Sequence, residues 1–88
     1  MLKLSHKGLN YFNTAVQLGT VRAAADQLNV APSAVSRQIS QLEVQLGSQL
    51  MERGRRGVKL TEAGRLLQEY VLQTQALEQT CVAAMEDL

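Results

Sequence analysis

TVRAAADQLNVAPSAVSRQISQLEVQL, residues 20–46, decides the fold. It reads as a short helix, a three-residue turn and a longer helix. The longer helix opens at Pro32, where a missing N–H is harmless because first-turn amides lack intrahelical partners anyway. It runs uninterrupted by glycine to Gly47, a suitable C-terminal stop. Val35, Ile39, Leu42 and Leu46 recur at spacings of four, three and four, which places them on one apolar stripe. The opposite face carries Ser33, Arg37 and Ser40, with Ser36 and Gln41 on its flanks and no acid among them. Short hydroxyls, an amide and a guanidinium can approach phosphates and base edges closely, and arginine is the commonest specific reader of guanine. Val44 also falls on this outer side and is expected to lie against another part of the protein.

The shorter helix has its own local signals. Thr20 is a cap, its hydroxyl placed to accept a first-turn amide. Ala23, Ala24 and Ala25 are small enough for a second helix to cross close to the backbone, while Leu28 and Val30 face the core. Asn29 sits at the turn, where asparagine tolerates a left-handed conformation. Two helices joined by a tight turn, the second with its polar side free, match the helix-turn-helix pattern.

Outward from this pair, residues 4–18 read as a first helix capped by Ser5, with Leu9, Phe12 and Val16 buried and Gly19 as its stop. His6 is an exposed terminal residue; no Cys, Asp or second His stands at metal-ligand spacing from it. On the other side, LMERGRRGVKL, residues 50–60, reads as two short extended segments around a Gly-Arg-Arg-Gly turn, a β-hairpin. A lone hairpin is barely stable in water, so Leu50, Val58 and Leu60 must pack on the helices. Its arginines can reach along the phosphate backbone or into the minor groove. Glu52 is expected to pair locally, since phosphate repels it.

Thr61 caps a last helix, and Glu62 in the first turn suits the positive end of the helix dipole. Gly64 lowers helix stability there, which points to close approach of another backbone. From Ala63 the residues Leu67, Tyr70, Thr74, Leu77, Cys81, Ala84 and Leu88 follow at alternating spacings of four and three, a coiled-coil seam. A helix of about 26 residues is ~39 Å long, more than one small domain can cover. Cys81 lies in the seam and reads as a small buried hydrophobe; no cation flanks it to favour a thiolate. Tyr70 and Met85 likewise read as core.

Composition agrees with a small helical protein: 88 residues, 45% hydrophobic and 3% aromatic. The net charge of +1 hides segregation. All nine Lys and Arg lie in residues 1–65 with four acids, a balance of +5, whereas residues 66–88 hold four acids and no base. One cysteine permits no internal disulfide, which fits a reducing compartment. No apolar run approaches the ~18 residues of a membrane span, and the N-terminus lacks the apolar core of a signal peptide. Nothing resembles a catalytic constellation or a phosphate-cradling glycine loop, so enzyme action is not expected.

The stretch AAADQLNVAPSAVSRQISQLEVQLGSQLMERGRRGVKLTEAG resembles the N-terminal DNA-binding domain of LysR-type transcriptional regulators. AVSRQISQLE followed by LG, the ER of residues 52–53, and LTEAG at 60–64 carry the likeness most specifically, and it spans nearly the whole chain. The family usually has Ser and Gln where this chain has Ala31 and Pro32, so a helix cap and one base-reading amide are absent. The resemblance implies an all-α winged helix-turn-helix, three helices plus a two-stranded β wing in residues 1–65, followed by a dimerising linker helix in 66–88. It implies binding of double-stranded DNA by a homodimer whose linker helices pair antiparallel, with higher oligomers open to the full-length protein. Ser33, Arg37 and the adjoining Pro32 are then expected at base edges. Thr20, Ser36, Ser40, Gln41, Arg53, Arg55, Arg56, Lys59 and Thr61 are expected at phosphates or, at the wing tip, in the minor groove. It also implies a bacterial cytoplasmic regulator whose small-molecule inducer binds a C-terminal domain beyond this chain, with no cofactor in the chain itself. The other reading of a winged helix is a protein-interaction module, but such a face should be apolar or aromatic, and this one is Ser, Arg and Gln.

Overall fold

The computed structural model describes residues 4–52 and 56–88. Four helices follow one another: α1 His6–Leu18, α2 Val21–Leu28, α3 Pro32–Leu46 and α4 Glu62–Glu86. The local chemistry read from the sequence sets each boundary. Ser5 accepts the Gly8 amide at 3.2 Å, and Thr20 accepts the Ala23 amide at 3.0 Å. Each such cap is worth ~1 kcal/mol. Asn29 ends α2 in the left-handed region at φ 57°, ψ 49°. Gly47 does the same for α3 at φ 65°. Ala31 gives α3 no side-chain cap, and Pro32 opens it as the first helical residue.

α1, α2 and α3 pack around one core. Phe12 and Ala15 from α1, Ala24 and Ala25 from α2, and Val35, Ile39 and Leu42 from α3 are its centre. The two alanines of α2 are fully covered, which is how small side chains let α2 cross close to its neighbours. Leu50 and Met51 close the core from below, and Leu67 of α4 joins it. Leu28, Val30, Leu46, Val58 and Leu60 lie packed at its margin.

Of the expected two-stranded wing, the described residues show the base. Among the described residues pairing is limited to one antiparallel bridge, Met51 with Leu60. The Glu52 amide donates to Lys59 O at 2.8 Å and the Thr61 amide to Leu50 O at 3.0 Å. The ladder stops on this side for a physical reason. Leu50 gives its amide to the Glu43 carboxylate, not to Thr61, and Thr61 is already the cap of α4. Val58 donates outward to Gly19 O at 2.8 Å, which fastens the returning chain to the end of α1. The tip residues Arg53, Gly54 and Arg55 lie outside the described residues.

α4 begins against this base. A Cβ on Gly64 would sit 2.1 Å from Leu50 O, so no side chain fits there and the expected close approach of a backbone is real. Gly64, Leu67 and Val71 are buried; every residue from 72 onward is exposed. No helix among the described residues is long and apolar enough to cross a membrane.

Candidate nucleic-acid interface

With Val35, Ile39 and Leu42 turned inward, helical geometry leaves the other side of α3 bare. Pro32, Ser33, Ser36, Arg37 and Gln41 are exposed and Ser40 is half-buried. Ser33, Arg37 and Ser40 lie one above the other at spacings of four and three. Among the described residues no carboxylate pairs with Arg37, so its guanidinium keeps its donors for a ligand. Ser5, from the start of α1, and Arg37, Ser40, Gln41, Val44 and Gln45 line one open depression along this face. Val44 is 82% exposed. This corrects the expectation that it lies against the rest of the protein: at the outer edge of α3 none of the described residues covers it.

The two threonine caps differ in what they can still offer. Thr20 uses its hydroxyl oxygen to accept Ala23 N, which leaves its O–H available to a phosphate. Thr61 accepts Gly64 N at 3.0 Å and also donates its O–H to Gln49 O. A phosphate at Thr61 would therefore meet the first-turn amides of α4 before the hydroxyl. Of the expected wing cations, Arg56 and Lys59 are exposed. Lys59 Nζ lies 3.5 Å from Glu52, the local pairing foreseen for that acid. Both partners are solvated, so the pair is weak and a phosphate can replace it. Arg53 and Arg55 lie outside the described residues.

Sequence reasoning missed Glu43. It counted only as one acid in the charge balance, yet it is 8% exposed, and its Oε2 accepts Leu50 N at 2.7 Å. A signal was there: Glu43 stands four residues after Ile39 and next to Leu42, on the apolar side of the helix.

The seam residues divide. Leu67 is already in the chain's own core. Tyr70 is half-exposed, and Thr74, Leu77, Cys81, Ala84 and Leu88 are exposed. Cys81, Tyr70 and Met85, read as buried or core, are therefore uncovered in the single chain, because α4 leaves the three-helix head after Val71. His6 is exposed as expected. Among the described residues no group of three His, Cys, Asp or Glu could hold a metal ion.

Residues 6–65 match the family described as bacterial regulatory helix-turn-helix protein, lysR family. An uncharacterized HTH-type transcriptional regulator of Sinorhizobium fredii, y4mQ, is 49% identical over 63 residues, 72% of this chain and 21% of that protein. The HTH-type transcriptional regulator BenM of Acinetobacter baylyi is 42% identical over 71 residues, 81% of this chain and 23% of that protein. The chain thus spans about a fifth to a quarter of the length of these relatives. The crystal structure of the BenM DBD in complex with catB site 1 DNA is similar with a TM-score of 0.80 at 36% identity, over 92% of this chain and 90% of that one.

Proposed function

The chain belongs to the lysR family of bacterial regulatory helix-turn-helix proteins, and from that premise we propose that it binds double-stranded DNA as a homodimer in transcriptional regulation. It is the helix-turn-helix DNA-binding domain of that family. The observation that carries the residue-level reading is the bare side of α3, where Ser33 and Arg37, the latter with no carboxylate partner among the described residues, stand exposed above a closed apolar face. Arg37 and Ser33, with Pro32 beside them, meet base edges in a major groove. Ser36, Ser40, Gln41 and Thr20 hold the flanking phosphates. Arg56, Lys59 and the first turn of α4 at Thr61 hold phosphates on the wing side, joined by Arg53 and Arg55. The wing is a two-stranded hairpin whose base is the Met51–Leu60 bridge.

Residues 66–88 are the dimerising linker. Its exposed Tyr70, Thr74, Leu77, Cys81, Ala84 and Leu88 pair antiparallel with the same helix of a second copy. Two-fold symmetry then demands a roughly palindromic site with half-sites one or more helical turns apart. The inducer belongs to a C-terminal domain of the full-length regulator, and the protein works in the bacterial cytoplasm.

Selection of bound duplexes from a random pool at two salt concentrations tests this. Enriched half-sites with dyad symmetry are the expected result. A pool that shows no enrichment at either salt would defeat sequence-specific binding.

A further inference from the structure

α3 carries one buried acid, and that acid serves a segment outside its own helix. Oε2 of Glu43 accepts the amide of Leu50 at 2.7 Å, and the Met51 amide lies 3.5 Å away. A bond from an amide to a carboxylate is charge-assisted, and its short length fits. Leu50 is in turn the point where three parts of the chain meet. Its side chain is 1% exposed in the core. Its carbonyl accepts Thr61 N at 3.0 Å and presses on Gly64, where a Cβ would come within 2.1 Å. Met51 bridges Leu60, and the Glu52 amide reaches Lys59 O. One side chain on the inner side of α3 thus fixes both the first residue of the wing and the residue that seats α4.

We propose that Glu43 is a positioning residue of the DNA-binding surface. It holds the base of the wing at a set angle to α3, so that Arg37 on the helix and Arg56 and Lys59 beyond it meet one duplex together. The inference deepens the DNA-binding reading and rests on it. A carboxylate in a DNA-binding helix opposes phosphate; here it is turned inward with Val35, Ile39 and Leu42, away from the exposed Ser33 and Arg37. Those three apolar residues hold α3 in place without Glu43. Loss of the carboxylate therefore releases the wing cations while base reading by Arg37 persists. That combination sets a positioning role apart from general support of the fold.

The experiment compares wild type, Glu43→Gln and Glu43→Ala on an enriched duplex and on the same duplex with its half-sites scrambled, across a salt series. Folded fraction is followed by far-UV circular dichroism, and the Leu50 amide by hydrogen exchange. Glu43→Gln keeps size and one acceptor but turns an N–H₂ donor towards the wing amides. The slope of log affinity against log salt is expected to fall by about 0.9 in Glu43→Gln and by about twice that in Glu43→Ala, one phosphate contact for each freed cation. The ratio of enriched to scrambled affinity stays within about twofold of wild type in both. Exchange at Leu50 N rises at least about tenfold in Glu43→Gln. A wild-type slope in folded Glu43→Gln, or a slope and a ratio that fall together, overturns the assignment. Should Glu43→Ala fail to fold, Glu43→Gln decides alone. Wild type that binds neither duplex at any salt defeats the DNA-binding reading instead, a separate and earlier result.

Discussion

α3 and α4 are the two long helices of this chain, and they are finished differently. α3 has 15 residues, and Val35, Ile39 and Leu42 close one side of it into the core along most of its length. Its other side is polar and bare. α4 has 25 residues, and burial ends at Val71. Beyond that point Leu77, Cys81, Ala84 and Leu88, at spacings of four, three and four, stand exposed along one side. A bare polar face is stable in water and waits for a polar ligand. A bare apolar stripe is a surface half made, because isolated helices are marginal in water and exposed apolar patches mark contact sites. The apolar side of α3 is closed within one copy; α4 beyond Val71 is not.

The largest expected effect breaks the comparison at α4. Leu77→Asp puts a charge into a stripe that is 72% exposed at that residue in the single chain, so the head should melt unchanged. Association should vanish in analytical ultracentrifugation, and affinity for a two-half-site duplex should drop about 10²–10⁴-fold as the second contact becomes intermolecular. Dimers that persist would remove Leu77 from the seam. Next comes the packed end of the same helix. Gly64→Ala drives a methyl against Leu50 O and should cost about 3 kcal/mol in chemical denaturation, with dimerisation intact. An unchanged midpoint would mean that the junction yields. On α3, Arg37→Ala should leave stability alone and cost ~1–3 kcal/mol on the selected site while flattening preference; an equal loss on random DNA would make Arg37 a phosphate contact. Smallest is Arg56→Ala. The salt slope should fall by about 0.9, and an unaltered slope would clear Arg56 of phosphate neutralisation.

Local chemistry was readable from residues alone. Ser5, Thr20 and Thr61 cap, Asn29 and Gly47 turn left-handed, and Gly64 admits a backbone, because each effect lies within a few residues of its cause. What escaped depends on partners without a sequence signature. Glu43 looks like an outward charge until the donors to its carboxylate are known, and these are backbone amides seven and eight residues on. The heptad spacing finds a seam from Ala63 but cannot say which turns the chain itself covers; Leu67 belongs to its own core. The hairpin pattern finds the reversal at 50–60 but not that Leu50 has given its amide elsewhere. For the polar face of α3, exposure of Ser33, Ser36, Arg37 and Gln41 agrees with the pattern, whereas Val44 shows that period alone does not supply a neighbour.

One consequence follows from the contact between Gly64 and Leu50. The 25-residue α4 is buried only at Gly64, Leu67 and Val71, near its start, and Gly64 is the point where it meets the wing base. The Leu50 amide in turn sits on the Glu43 carboxylate at 2.7 Å, so the start of α4 and the inner side of α3 share one anchor. A substitution that shifts Gly64 would be met first at Leu50, the residue common to both helices.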